Sequence, residues 1–171
     1  MRKIVITGFM ATGKTAVGLL LAKMLDLPFL DTDDLIEERA GKSVADIFSA
    51  DGEAYFRHLE REVIASLAEA EDCVIATGGG AIVDPENLRA LRNKGVLICL
   101  TATPHVILER VGTMDHRPLL HHPKPFQRIE ELLASRLPFY SQADFSIDTS
   151  MARVEEVADR ILTLLGLEVK G

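Results

Sequence analysis

Short apolar runs of strand length alternate with longer helical patterns along the whole chain, and this alternation restricts the fold more than any other feature. The strand candidates are Ile4–Thr7, Pro28–Leu30, Val74–Ala76, Val96–Thr101 and Phe145–Ile147. Several lack polar alternation, as strands covered on both faces do. Helical patterns run over Lys14–Leu25, Asp33–Ala40, Ala45–Phe48, Glu53–Glu69, Pro85–Lys94, Pro104–Val111, Phe126–Tyr140 and Arg153–Leu165. Asp84 and Thr103 are good N-caps, each followed by a proline at a position that suits a first helical turn. The pattern predicts a three-layer α/β/α fold: a parallel five-stranded sheet, right-handed crossovers, and ligands at the carboxyl ends of the strands. At 171 residues, one domain over residues 1–171 is expected. Two segments depart from simple crossovers. Residues from about 33 to 70 form a helical insertion, and a polar loop from about 112 to 124 has the length of an active-site lid.

Nineteen basic and 26 acidic residues give a formal charge of −7. A net-acidic chain is a poor general binder of nucleic acid or anionic membranes, so neither is expected as a partner. Cys73 and Cys99 each lie in an apolar run and read as inert core thiols rather than a disulfide framework. The N-terminal stretch MRKIVITGFMATGK is too short to span a bilayer and carries no cleavage pattern. A soluble, cytoplasmic enzyme, acting as a monomer, is the expectation.

Residues 8–15 read G-x-x-x-x-G-K-T, after the strand KIVIT and at the start of a helix. That context is the one a phosphate-binding loop requires. Gly8 and Gly13 let the backbone turn so that N–H groups of Met10, Ala11, Thr12 and their neighbours can face phosphate oxygens. The helix beginning at Lys14 adds its positive end. Lys14 suits the β- and γ-phosphates, and the Thr15 hydroxyl suits Mg²⁺.

Asp31 and Asp33 lie in FLDTDD at the end of the second strand candidate. Two residues apart in extended chain, both carboxylates can face one pocket. One can help hold Mg²⁺ and the other can accept the proton of an attacking hydroxyl. As a structural alternative, Thr32 or Asp33 could cap the following helix. No aspartate ends the strand CVIA, so Asp31 is the natural substitute for the second metal-binding acid. The triplet Gly78-Gly79-Gly80 after that strand allows close backbone approach and offers several N–H donors. Arg57, Arg117 and Arg136 carry forks suited to a carboxylate or a phosphoryl group. Taken singly, each reads more readily as a solvated surface residue.

Together these segments resemble the shikimate kinases over nearly the whole chain: GFMATGKT, FLDTDDLIE, DIFSADGEAYFR, ATGGGA, RPLL and SRLPFYSQAD. The resemblance implies ATP-dependent phosphorylation of the 3-hydroxyl of shikimate, on the fold of the nucleoside monophosphate kinases with a mobile lid. It implies ATP as co-substrate and Mg²⁺ as cofactor. By position, Asp33 matches the aspartate that binds the acceptor hydroxyl, and Asp31 the one that helps hold Mg²⁺ with Thr15. Arg57 and Arg136 match the pair that grips the shikimate carboxylate, and Gly78, Gly79 and Gly80 the substrate-contacting glycines. Arg117 matches the lid arginine that reaches phosphate, and Arg110 the arginine near adenine. Phe48, Phe56, Pro118 and Leu119 match the apolar walls of the acceptor pocket.

Other readings fit less well. A gluconate kinase also takes a carboxylate-bearing polyol, but G-E-x-x-F-R and T-G-G-G together favour shikimate. A nucleoside monophosphate kinase needs a segment that grips a second base, and none is visible. A guanine-reading switch would need N-K-x-D, whereas Val96 stands where Asn93-Lys94-Gly95 calls for aspartate; Gly95 reads instead as a helix cap. His116, His121 and His122 read as part of a solvated loop rather than a metal site.

Overall fold

A computed structural model describes residues 3–112 and 122–169. Strand β1, Lys3–Gly8, is buried at every position and forms the middle of a parallel five-stranded sheet. Its neighbours are β3 (Val74–Ala76) and β4 (Gly95–Thr101), with Ile4 opposite Val74 on one side and Val96 on the other. β2 (Phe29–Asp31) and β5 (Phe145–Asp148) form the edges, giving the order β2-β3-β1-β4-β5.

Alternate residues of the central strands feed two separate cores. Ile4, Ile6, Val74, Ile98 and Leu100 pack against α1 (Lys14–Leu25) and α8 (Val154–Leu165). Val5, Ile75, Leu97 and Cys99 face the other way. On that side they meet α4 (Glu53–Ser66), α5 (Pro85–Arg92), α6 (Pro104–Gly112) and α7 (Pro125–Tyr140). The helices α2 (Thr32–Ala40) and α3 (Val44–Ala50) complete the chain between β2 and β3 together with α4. A short 3₁₀ turn, Ala81–Val83, leads into α5. The three layers expected from the alternation are present. Both cysteines are buried, and burial pushes the Cys99 thiol up to about 11. No helix among the described residues is long and apolar enough to cross a membrane.

Most element ends shift by one or two residues from the sequence expectation, and three of the departures have a clear local reason. Helix α4 stops at Ser66 rather than Glu69, because the chain tightens into i→i+3 bonds at Leu67 and Ala68. The carbonyls this turn presents are taken by the buried ammonium of Lys3, at 2.9 Å each. Helix α5 ends at Arg92, and Gly95 is the first residue of β4 rather than a cap. The left-handed residue there is Lys94, φ 56°. Finally, the cap of α2 is Asp31, not Thr32 or Asp33, since its Oδ1 accepts the Asp33 N–H at 2.9 Å. The expected caps Asp84 and Thr103 do accept helix N–H groups, from Glu86 at 2.8 Å and Val106 at 3.4 Å.

Candidate active site

All five strands run parallel, so their carboxyl ends meet at one edge of the sheet. Gly8 ends β1 with φ 139°, and a side chain there would collide with the Leu100 carbonyl on β4. Only glycine lets the chain leave the strand at this point. The loop that follows is tied down from inside and outside. The Phe9 carbonyl accepts from both the Thr12 hydroxyl and the Lys14 ammonium, at 2.8 Å each. Arg110 on α6 donates to the Ala11 carbonyl at 3.0 Å and to the Thr149 carbonyl at 2.7 Å. The Thr149 hydroxyl lies 3.1 Å from the Thr12 carbonyl. These side chains hold Ala11 at φ 59°, a left-handed conformation that costs a non-glycine residue about 1–2 kcal/mol.

Two cavities flank this loop and share Ala11 and Gly13. The first, about 280 Å³, brings Lys14, Thr15, Asp31 and Asp33 together with Met10, Gly78 and Gly79. The second, about 330 Å³, lies on the α8 side, against Arg110, Thr149, Val154 and Val157. Both aspartates reach the first cavity, although not by the alternation of a strand. Asp31 closes β2 and Asp33 already belongs to the first turn of α2. Asp31 divides its oxygens: Oδ1 caps the helix, and Oδ2 accepts from the Thr15 hydroxyl at 3.1 Å. It is paired in register with Ala76, beside the end of the strand that lacks an acid of its own.

The glycine triplet crosses the far side of the first cavity, and each member meets a different charged group. The Gly78 N–H donates to the Thr32 hydroxyl at 3.1 Å, and a Cβ at Gly78 would lie 3.1 Å from an Asp33 oxygen. A Cβ at Gly79 would stand 3.1 Å from the Arg136 guanidinium. At Gly80 it would come within 2.6 Å of Arg57 Nη2, so any side chain there would push the guanidinium aside. Arg57 also lies over the Phe56 ring, which packs against the half-exposed Phe48 with centroids 4.7 Å apart. Arg136 lies over Phe9. The two arginines, spaced far apart in sequence, therefore bracket one glycine loop. Arg117, Pro118 and Leu119, with His116 and His121, lie outside the described residues. His122 accepts the Lys124 N–H at 3.1 Å, and no group of three metal-ligating side chains occurs among the described residues.

Sequence reasoning missed three residues of this site. Glu60 is buried, and its Oε1 accepts from Arg57 at 2.8 Å. Burial raises its pKa against the pull of Arg57. Tyr140 donates to the Gly79 carbonyl at 2.6 Å. Thr149 links α6 to the phosphate loop. The first two were accessible in principle: Glu60 is three residues after Arg57 and Tyr140 four after Arg136, the spacings that bring side chains together on a helix. Thr149 lies one residue beyond a short edge strand and carries no such signal.

The family model for shikimate kinase matches residues 10–166. The chain belongs to the shikimate kinase family. A shikimate kinase of Caldanaerobacter subterraneus subsp. tengcongensis is 48% identical over 171 residues, covering all of this chain and 99% of that relative. One from Thermodesulfovibrio yellowstonii is 46% identical over 162 residues, covering 95% of this chain and 94% of the relative. Among solved structures, the shikimate kinase of Acinetobacter baumannii in complex with shikimate superposes with a TM-score of 0.91 at 36% identity, covering 96% of this chain and 93% of that one. The phosphate loop, both aspartates, Gly78 and Gly79 are the parts of this chain that line the first cavity.

Proposed function

We propose that this chain transfers the γ-phosphoryl group of ATP to the 3-hydroxyl of shikimate, giving shikimate 3-phosphate and ADP on the route to aromatic amino acids. Full-length membership of the shikimate kinase family supports this reading. The observation that carries it to particular residues is the first cavity, where a phosphate loop and a carboxylate face a glycine loop bracketed by two arginines.

In this reading Lys14 and the loop amides hold the β- and γ-phosphates, and Arg110 and Thr149 border the base in the second cavity. Arg57 and Arg136 grip the shikimate carboxylate with charge-assisted bonds. Phe48 and Phe56, with Pro118 and Leu119, provide the apolar wall. Asp33 accepts the proton of the 3-hydroxyl as its oxygen bonds to the γ-phosphorus and the bond to the bridging oxygen of ADP breaks. Arg117 adds positive charge to the transferring group. Mg²⁺ suits the paired hydroxyl and carboxylate of Thr15 and Asp31, hard oxygen donors that leave room for phosphate and water; when bound it neutralises phosphate charge. A single domain with a substrate-binding insertion at about 33–70 and a lid at about 112–124, acting as a cytoplasmic monomer, completes the proposal.

The test is ADP release with Mg²⁺–ATP against shikimate, quinate, gluconate, AMP and no acceptor. Shikimate-dependent turnover is expected, falling about 10²- to 10⁴-fold in Asp33→Asn with the unfolding midpoint unchanged. Turnover with gluconate alone would overturn the acceptor assignment.

A further inference from the structure

Tyr140 ends α7 and is buried, with its hydroxyl donating to the Gly79 carbonyl at 2.6 Å. Burial pushes that hydroxyl up to about 12, so it remains a donor at any working pH. No cis peptide occurs among the described residues, and in a planar trans peptide the carbonyl of one residue and the N–H of the next point in opposite directions. Fixing the Gly79 carbonyl against α7 therefore turns the Gly80 N–H away from α7. Neither the Gly79 nor the Gly80 N–H meets an acceptor among the described residues. The loop has no side chains of its own to hold this orientation, and glycine is the residue with the widest choice of alternatives. The rest of its confinement comes from backbone: a Cβ at Gly79 would lie 3.3 Å from the Gly8 carbonyl of the phosphate loop. Arg136 stands one helical turn before Tyr140, so one face of α7 presents both the arginine that meets Gly79 and the hydroxyl that anchors it.

We propose that Tyr140 is a positioning residue for the acceptor: its hydroxyl sets the Gly79–Gly80 peptide plane, and so aims the Gly80 N–H as a donor to the carboxylate or hydroxyls of the bound substrate. The role rests on shikimate being the acceptor, as proposed above. Tyr140 touches no reacting atom. It acts by removing the loop's other orientations before substrate arrives, which favours binding without any added contact.

Tyr140→Phe keeps the ring and removes the anchor. The expected result is a KM for shikimate raised about tenfold, the scale of one buried carbonyl left without its donor. The KM for ATP should stay within twofold and kcat within threefold, because the lost interaction acts equally on bound substrate and transition state. Amide hydrogen exchange of the unliganded variant is expected to quicken across residues 77–81 and to stay unchanged in α8. A tyrosine that merely fills space would leave the shikimate KM within twofold, or would raise both KM values together, and either result overturns the proposal. So does unchanged exchange in the glycine loop. Wild-type protein without shikimate-dependent turnover overturns the functional reading itself; wild-type turnover with an unaltered Y140F variant overturns only the role of Tyr140.

Discussion

The two ends of the central sheet treat buried polar groups in opposite ways. At the amino end, Lys3 is wholly buried, yet its ammonium donates to three carbonyls, those of Leu67, Ala68 and Ala90, at 2.9, 2.9 and 3.0 Å. Those carbonyls lie in the tight turn that follows α4 and in the last turn of α5, where helix ends leave acceptors over. Nearby, Asp144 accepts the Leu97 N–H at 2.9 Å and pairs with Arg92 at 2.8 Å. At the carboxyl end, Thr7 Oγ1, Thr77 Oγ1 and Glu60 Oε2 are buried with no hydrogen-bond partner among the described residues. The amino end is a closed account of donors and acceptors; the carboxyl end keeps some open. Buried polar groups left without partners cost about 1–3 kcal/mol each. Their concentration at one edge marks where the fold gives up stability for a ligand.

Lys3→Met should break the amino end most severely. It keeps the length of the stem but withdraws the donor from three carbonyls, and a loss of about 3 kcal/mol is expected in urea unfolding. The KM for shikimate should not move, since Lys3 lies at the far end of the sheet. Arg136→Ala should do the reverse. Losing one charged fork raises the KM for shikimate roughly 10- to 100-fold, corresponding to about 1.5–3 kcal/mol, with little change in the urea midpoint. If each variant instead lowered stability and acceptor binding alike, the division between the two ends would be wrong.

Glu60→Gln gives the smallest and most discriminating effect. Burial raises the Glu60 pKa in the folded state, so the folded protein binds this proton more tightly than the unfolded chain does. The associated stability is fully present below the unfolded value of about 4.3 and is lost as pH rises through the folded value. The glutamine variant should therefore match wild type near pH 4 and become the more stable protein as pH rises. Its KM for shikimate should rise at the same time, because Arg57 exchanges its carboxyl partner for a weaker amide acceptor. Parallel unfolding curves at pH 4 and pH 7 would remove Glu60 from the carboxyl-end picture.

Most strand and helix positions were legible because the central strands are covered on both faces and read as unbroken apolar runs. The phosphate loop was legible because Gly8 and Lys14 have no interchangeable alternatives at those places. Asp31 and Asp33 were found for partly the wrong reason: the pair converges through a helix cap, a geometry that strand periodicity does not encode. Glu60 and Tyr140 escaped because an ordinary glutamate or tyrosine on a helix carries no sign of what it faces. Their partners, Arg57 and the Gly79 carbonyl, are brought to them only by folding. The end of α4 was misplaced for the same reason, since the residue that terminates it lies more than sixty positions earlier in the chain.

The shared wall at Ala11 and Gly13 has a practical consequence. The cavity that reaches Gly79 and the one that reaches Val157 both meet these two residues, so they are neighbours along one phosphate loop. A single molecule carrying a purine, a phosphate chain and a carboxylated ring could reach from one to the other. Joining the pieces makes the second binding event intramolecular, and such tethering can raise affinity by about 10²- to 10⁴-fold over the separate parts. The length of the phosphate linker then becomes a ruler for the distance between donor and acceptor, readable from affinity alone.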